Sequence, residues 1–275
     1  MINVDLKTNP ELYFDYRKGL ELLRGIKEED YSFPKETTVF HVYTEVRTPK
    51  ELMAIKSYVA TQNLQRTKLI VWSDYDISDQ DNIQPYKDYV DFRVYDPKKF
   101  GGIYFDMDMI LLRDFKPILN QDFAYQWGSS TDFAKKHRWE DDCHGPCAAL
   151  LGAVKGNSFI KNCINRLVMT PPTGGTCYDE DMLGYVYAKN PFTVFPSTFF
   201  NTEWLMSKVA KEKAVEADKA MFDTKMIDPE GLFEGAFAWH WHNSSNKNKE
   251  VVEGSKFNLL ENITDKKLRE KGIIL

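Results

Sequence analysis

Apolar positions along this 275-residue chain follow two rhythms, and their alternation predicts the architecture. Residues 9–30 place Leu12, Tyr13, Tyr16, Leu20 and Leu23 on one side of a helix. Residues 37–43 are β-branched and aromatic and predict a first strand. Pro49, at the first-turn position that tolerates its missing N–H, opens a helix to about residue 62. Residues 67–72 form the second strand, closed by the turn Ser73-Asp74-Tyr75-Asp76. Strand, helix, strand is a βαβ unit and implies parallel pairing. Further strands are predicted at 90–95, 103–112, 123–127, 148–154 and 192–196, with an aromatic one at 237–242. Short helices fall at 159–167 and 179–188, the second with Asp179 as its N-cap. A charged, Ala- and Lys-rich helix at 207–221 reads as a solvated face. With no internal repeat and no low-complexity linker, the pattern gives one α/β domain over 1–275, a Rossmann-like, mainly parallel central sheet flanked by helices.

Composition narrows the function classes. Apolar residues make up 43% and charged residues 28%, as in an ordinary soluble globular protein. A net charge of −5 offers no electrostatic footprint for nucleic acid. Aromatic residues reach 14%, which suits stacking on sugars or bases but is explained mostly by core packing. No apolar run approaches the roughly 18 residues that span a bilayer, and the first residues lack a signal-peptide pattern, so a cytoplasmic location is expected. The four cysteines, Cys143, Cys147, Cys163 and Cys177, complete no paired metal-binding pattern and read as free thiols of a reducing compartment. The sequons at Asn243 and Asn262 carry no meaning there.

Chemistry enters at Gly101-Gly-Ile-Tyr-Phe-Asp-Met-Asp. Alternate side chains of a strand share a face, so Asp106 and Asp108 are expected to project together from the strand at 103–112. A bare Asp-x-Asp is more often a solvated strand end. Here the pair sits inside an otherwise apolar run, and burying two uncompensated carboxylates is costly. A divalent cation between them resolves the conflict and would in turn attract a diphosphate. Gly101 and Gly102, lacking Cβ atoms, permit close approach of backbone or ligand. Ligands of open parallel sheets bind beyond the carboxyl ends of the strands, where Tyr43, Thr44, Trp72, Asp74, Asp106 and Asp108 all fall.

The segment Gly-Gly-Ile-Tyr-Phe-Asp-Met-Asp-Met-Ile-Leu-Leu resembles the core of the Asp-x-Asp sugar-binding glycosyltransferases, a family that includes yeast initiation-specific α-1,6-mannosyltransferase and vertebrate α-1,4-galactosyltransferase. Leu69-Ile-Val-Trp-Ser-Asp, Gly145-Pro-Cys-Ala-Ala-Leu-Leu-Gly-Ala and His240-Trp-His-Asn-Ser-Ser resemble further family segments, so the likeness runs over about residues 37–246. The chain departs from the pattern before Gly101, where Pro97 and a short connection replace a helix, and at His242, where Trp is usual. The resemblance implies a GT-A fold, with a nucleotide-binding half at about 37–112, an acceptor and sugar half at 113–246 and a tail at 247–275. It implies a nucleotide-diphosphate sugar donor, UDP-linked by preference, a carbohydrate or glycoprotein glycan acceptor, Mn²⁺ or Mg²⁺, and retention of anomeric configuration.

On this reading Asp108 ligates the metal directly, and Asp106 does so through water or holds ribose or sugar hydroxyls. His240 and His242, two apart on a strand, face the same way as metal ligands or as donors to a departing phosphate. Tyr43, Thr44, Trp72 and Asp74 lie where the nucleoside would bind, with Asn243 and Ser244 near the donor. Asp179 and Asp181, after the loop Thr173-Gly-Gly-Thr, are as much helix-capping residues as groups beneath the anomeric carbon or at the acceptor. The acidic loop at 140–144 reads as surface or acceptor rim. A nucleotide-sugar hydrolase, and a catalytically inactive carbohydrate-binding scaffold, are the alternatives.

Overall fold

A computed structural model of the chain describes residues 1–5, 8–9, 11–14, 16–94, 101–126, 146–169, 183–187, 189–190, 192–200, 221–222 and 235–273. Its centre is a seven-stranded sheet. The strands are β1 (Thr38–Tyr43), β2 (Thr67–Ser73), β3 (Val90–Val94), β4 (Gly102–Phe105), β6 (Phe123–Gln126), β7 (Pro146–Ala153) and β8 (Thr193–Phe195), in the order β3-β2-β1-β4-β7-β6-β8. Pairs β1–β2, β2–β3, β1–β4 and β6–β8 are parallel, and β7 runs against both its neighbours. A separate antiparallel ribbon joins β5 (Met109–Leu111) to β9 (Ala238–His240). The mixed, mainly parallel sheet flanked by helices is the architecture that the GT-A resemblance implies, and its parallel part β3-β2-β1 is what the hydrophobic pattern predicts.

Helix α1 (Glu11–Phe14) and helix α2 (Tyr16–Gly25) cover the predicted first helix, which ends five residues early and gives way to a 3₁₀ turn at Glu28–Asp30. Helix α3 (Pro49–Thr61) follows the prediction closely. Thr48 caps it by accepting the Glu51 amide, and Pro49 stands at its first position. Ten of its thirteen residues are buried, because it is covered on two sides. Ala54, Ile55, Tyr58 and Val59 pack on the sheet with Phe40, Val42, Leu69 and Phe105. Met53 faces a second cluster built from Ile110, Trp239, Trp241, Phe257 and Leu260. Fully burying a side chain of this size contributes roughly 1.5–3 kcal/mol, which is why a helix with ionic residues at Lys50, Glu51 and Lys56 can remain inside. Helix α4 (Ser158–Met169) follows β7; a short helix α5 (Asn243–Asn246) follows β9; helix α6 (Lys256–Glu270) closes the chain and packs on α3. Lys271, past the end of α6, caps α3 by donating to the carbonyls of Val59 (2.7 Å) and Gln62 (3.1 Å).

The expected continuous strand over 103–112 is corrected. Chain pairing on β4 stops at Phe105, and β5 begins at Met109 in a different sheet. The Asp106 amide still donates to Ala149 (2.8 Å), but the Met109 amide turns back to the Asp106 carbonyl (3.0 Å) and closes a tight turn. The partner of β5, β9, lies about 130 residues away, and local periodicity carries no trace of such a pairing. The Asp pair therefore occupies a turn rather than one face of a strand. The predicted helix at 207–221 lies outside the described residues except for Met221, and 179–188 is described only in part, with helical turns over 183–187.

Candidate metal and nucleotide site

The turn achieves what strand alternation was expected to do. Asp106, Asp108 and His240 each offer a ligand atom, and these atoms lie within 4.8 Å of one another. Met109 pairs with His240 across the ribbon, so the strand that leaves Asp108 arrives beside the imidazole. Asp108 is held at three points. Its Oδ1 stands 3.3 Å from His240 Nε2, its Oδ2 accepts the Asn243 amide at 2.7 Å, and its carbonyl accepts the Trp241 amide at 3.0 Å. Asp106 Oδ1 accepts a 2.6 Å hydrogen bond from the Tyr104 hydroxyl. His240 Nδ1 lies 2.7 Å from the hydroxyl of Tyr125, and its amide donates to Phe200 at 3.1 Å.

β9 stops at His240, and His242 adopts φ 53°, ψ 69°. The two imidazoles nevertheless lie side by side, tilted with centroids 4.0 Å apart, while Trp239 and Trp241 enter the core, so the predicted two-faced arrangement survives the end of the strand. The three-residue ligand group does not include His242.

Electrostatics pulls the two carboxylates apart. Burial first, then the charge of Asp108, raises the Asp106 carboxyl above its ordinary value, against the Tyr104 hydrogen bond and His240. Burial works to raise Asp108 as well, but His240 and the Asn243 amide together hold it below the ordinary range. Burial and the neighbouring His240 push His242 down to about 3, with Asp108 opposing. Two converging carboxylates, one reluctant to ionise beside the other, and one imidazole nitrogen form a donor set suited to a hard or borderline divalent cation.

The glycine pair has a backbone reason. A Cβ on Gly102, at φ +132°, would meet the Val39 carbonyl oxygen at 2.1 Å, and one on Gly101 would meet the Lys155 amide at 2.5 Å. Close packing of β4 between β1 and the end of β7 requires both.

Tyr43 ends β1, Ser73 ends β2 and Asp106 follows β4, so all three reach the same edge of the sheet. Tyr43 is 37% exposed there, and its hydrogen bond to the Asp74 carboxylate, with burial, raises its hydroxyl to about 12. Thr44 is buried, and its hydroxyl accepts the Val46 amide at 3.0 Å. Trp72 is mostly buried; its indole N–H donates to His41 Nδ1 at 3.1 Å, its ring stacks on that imidazole, and the Arg93 guanidinium stands 5.8 Å from the ring centre. Asn243 contributes its amide to Asp108, as above. The Ser244 side chain, Asp179, Asp181, the loop at 140–144 and the connection at 95–100 lie outside the described residues, as do Cys143 and Cys177. Cys147 and Cys163 are buried. Among the described residues no helix is long and apolar enough to cross a membrane.

Two residues of the site escaped the sequence reading. Tyr104 had an available signal, since it stands two positions before Asp106 within the same motif. Tyr125 had none, because Phe123-Ala-Tyr-Gln is indistinguishable from any strand interior.

No protein-family model matches the chain, and no curated protein matches it in sequence. Among solved structures, the glycosyltransferase GlyE of Streptococcus pneumoniae TIGR4 in its apo form matches with a TM-score of 0.53 at 12% identity, covering 87% of this chain and 64% of GlyE. A second GlyE structure gives 0.51 at 11% identity over the same shares. The chain thus spans less than two thirds of the length of GlyE. At such identity the likeness establishes the fold, that of GT-A glycosyltransferases, and the narrower family resemblance of the motifs rests on the motifs alone.

Proposed function

We propose that the chain is a metal-dependent, retaining glycosyltransferase that moves a sugar from a nucleotide-diphosphate sugar, UDP-linked by preference, to a carbohydrate or glycan acceptor. The observation that carries this reading is the convergence of Asp106, Asp108 and His240 at the carboxyl edge of the sheet. Mn²⁺ or Mg²⁺ would be held by those three, with His242 beside them. Bound there, such an ion supplies Lewis-acid stabilisation of the charge that develops on a leaving diphosphate.

The chain's own residues supply the rest. Asp108 arrives pre-oriented by the Asn243 amide, so little ordering is left for ligand binding. Tyr43 and Asp74, joined by a hydrogen bond at the exposed end of β1, offer a polar rim for a nucleoside, with Thr44 and Trp72 as the wall behind it. Asn243 and Ser244, at the start of α5, would line the donor phosphates. Asp179 and Asp181 are assigned to the polar groups that retention requires near the anomeric carbon or the acceptor hydroxyl.

The test is a thermal-shift series with UDP, GDP and their sugars, with and without Mn²⁺. A ligand that binds only the folded state adds ~2.7 kcal/mol at a hundredfold excess over its dissociation constant. A shift with one nucleotide that requires Mn²⁺, and that disappears in Asp108→Asn, is expected. Equal shifts in Asp108→Asn, or none with any nucleotide on the folded protein, would sink the reading. Release of free sugar from the bound donor without transfer to any acceptor would point to the hydrolase.

A further inference from the structure

His240 presents its two ring nitrogens to two different places. Nε2 faces Asp108 Oδ1 at 3.3 Å, within the cation-binding group, and Nδ1 faces the Tyr125 hydroxyl at 2.7 Å. Tyr125 is fully buried at the end of β6, in the main sheet, whereas His240 belongs to the separate ribbon, so this contact ties one sheet to the other. The approach is built into the backbone. Along β6, Ala124 pairs with Leu151 but Tyr125 pairs with Cys147, so the ladder to β7 breaks between these two residues while the parallel ladder to β8 continues through Val194 and Phe195. Irregularities of this kind re-aim a side chain beside a functional site. Phe200 supports both partners: its ring lies 5.5 Å from that of Tyr125, and its carbonyl accepts the His240 amide.

We infer that Tyr125 is a positioning residue that holds the His240 ring in place and accepts from its Nδ1–H when Nε2 ligates a cation. The inference rests on the metal reading given above. A neutral imidazole carries one N–H and one lone pair. In a neutral ring without a cation, Nε2–H would point at the Asp108 carboxylate and the Tyr125 O–H would donate to Nδ1. With a cation, the Nε2 lone pair is required, so the ring proton leaves Nε2 and an equal proton sits on Nδ1, where the Tyr125 oxygen accepts it. A hydroxyl serves both states because it donates and accepts; a phenyl ring serves neither. Partners of this second kind orient the ligating imidazole and fix its tautomer.

The experiment is a titration of the full chain with Mn²⁺ alone, followed by electron paramagnetic resonance, for wild type, Tyr125→Phe and His240→Ala. Tyr125→Phe should bind Mn²⁺ about ten- to a hundredfold more weakly, while its metal-free melting temperature stays close to wild type because the ring packing is retained. Wild-type affinity in Tyr125→Phe would overturn the inference. A second measurement needs no variant: ¹⁵N NMR of the histidine rings of wild type before and after Zn²⁺, a diamagnetic probe. His240 is expected as the Nε2–H form without metal and the Nδ1–H form with it. An unchanged tautomer in a Zn²⁺-bound sample would also overturn the inference. A wild-type protein that binds neither ion would overturn the metal reading itself, a result distinct from normal binding by Tyr125→Phe.

Discussion

Gly102 shows how much of the leading motif is packing rather than chemistry. At φ +132°, with the Val39 carbonyl oxygen 2.1 Å from the place a Cβ would take, it leaves no room for a side chain. Gly102→Ala is expected to cost roughly 2–4 kcal/mol, from a strained φ and a displaced strand together. Urea unfolding checks it, and a loss below about half a kcal/mol would contradict the account. The sequence marked this glycine for close approach by backbone or ligand, and only the fold could show that the neighbour is β1. The Asp pair was legible because two acids inside an apolar run are anomalous wherever they sit. Its partner His240 was legible as one of two alternating histidines. Tyr125 was not, since nothing local distinguishes a tyrosine that faces an imidazole from one that faces leucine.

Two elements contrast a local with a distant cause. Helix α3 carries its own cap and its own proline, and its bounds agree with the sequence to within a residue. β5 has no local cause, because only β9 makes it a strand. The short helix α5 is likewise held from afar. The Lys50 ammonium, buried at the start of α3, donates to the carbonyls of Asn246 (2.8 Å), Lys247 (3.1 Å) and Lys249 (2.8 Å), and stands 4.8 Å from the centre of the Phe222 ring. Burial lowers its pKa, an expense tolerated because the carbonyls at the end of α5 gain a donor. Lys50→Met keeps the stem and removes the donor. It should destabilise the protein by about 1–3 kcal/mol and weaken Mn²⁺ binding, because α5 begins with the amide that orients Asp108. Unfolding together with the Mn²⁺ titration reads both, and an unchanged midpoint would refute the clasp.

At the scale of the whole molecule, His41 links three segments: β1 on which it lies, Trp72 of β2 and Gly101 before β4. The indole N–H can only donate, so Nδ1 accepts and Nε2–H donates to the Gly101 carbonyl at 3.2 Å. Burial first, and Arg93 as well, lower its pKa below 6.5, against the Gly101 hydrogen bond. The unfolded chain therefore takes up this proton at a higher pH than the folded one, and stability falls as pH drops through about 6.5 toward the folded value. Wild type should exceed His41→Gln in stability at pH 7.5, and the gap should shrink at pH 5.5. Urea midpoints at the two pH values give the answer, and a constant gap would refute it. The sheet itself was readable from β1 to β3, where strands follow one another in sequence and space. The insertion of β7 between β4 and β6 was not, because it joins residues about 50 apart without a local signal.

The ribbon that joins residue 109 to residue 240 also sets a timetable. As the chain leaves the ribosome from its N-terminal end, β1 through β4 are out long before β9 exists. During that interval Asp106 and Asp108 face each other with no imidazole beside them, and β5 has no strand to pair with. The candidate cation-binding group is thus a late product of synthesis, completed only when residues near 240 return to the middle of the fold, so capture of a metal there would report that this segment has reached its place.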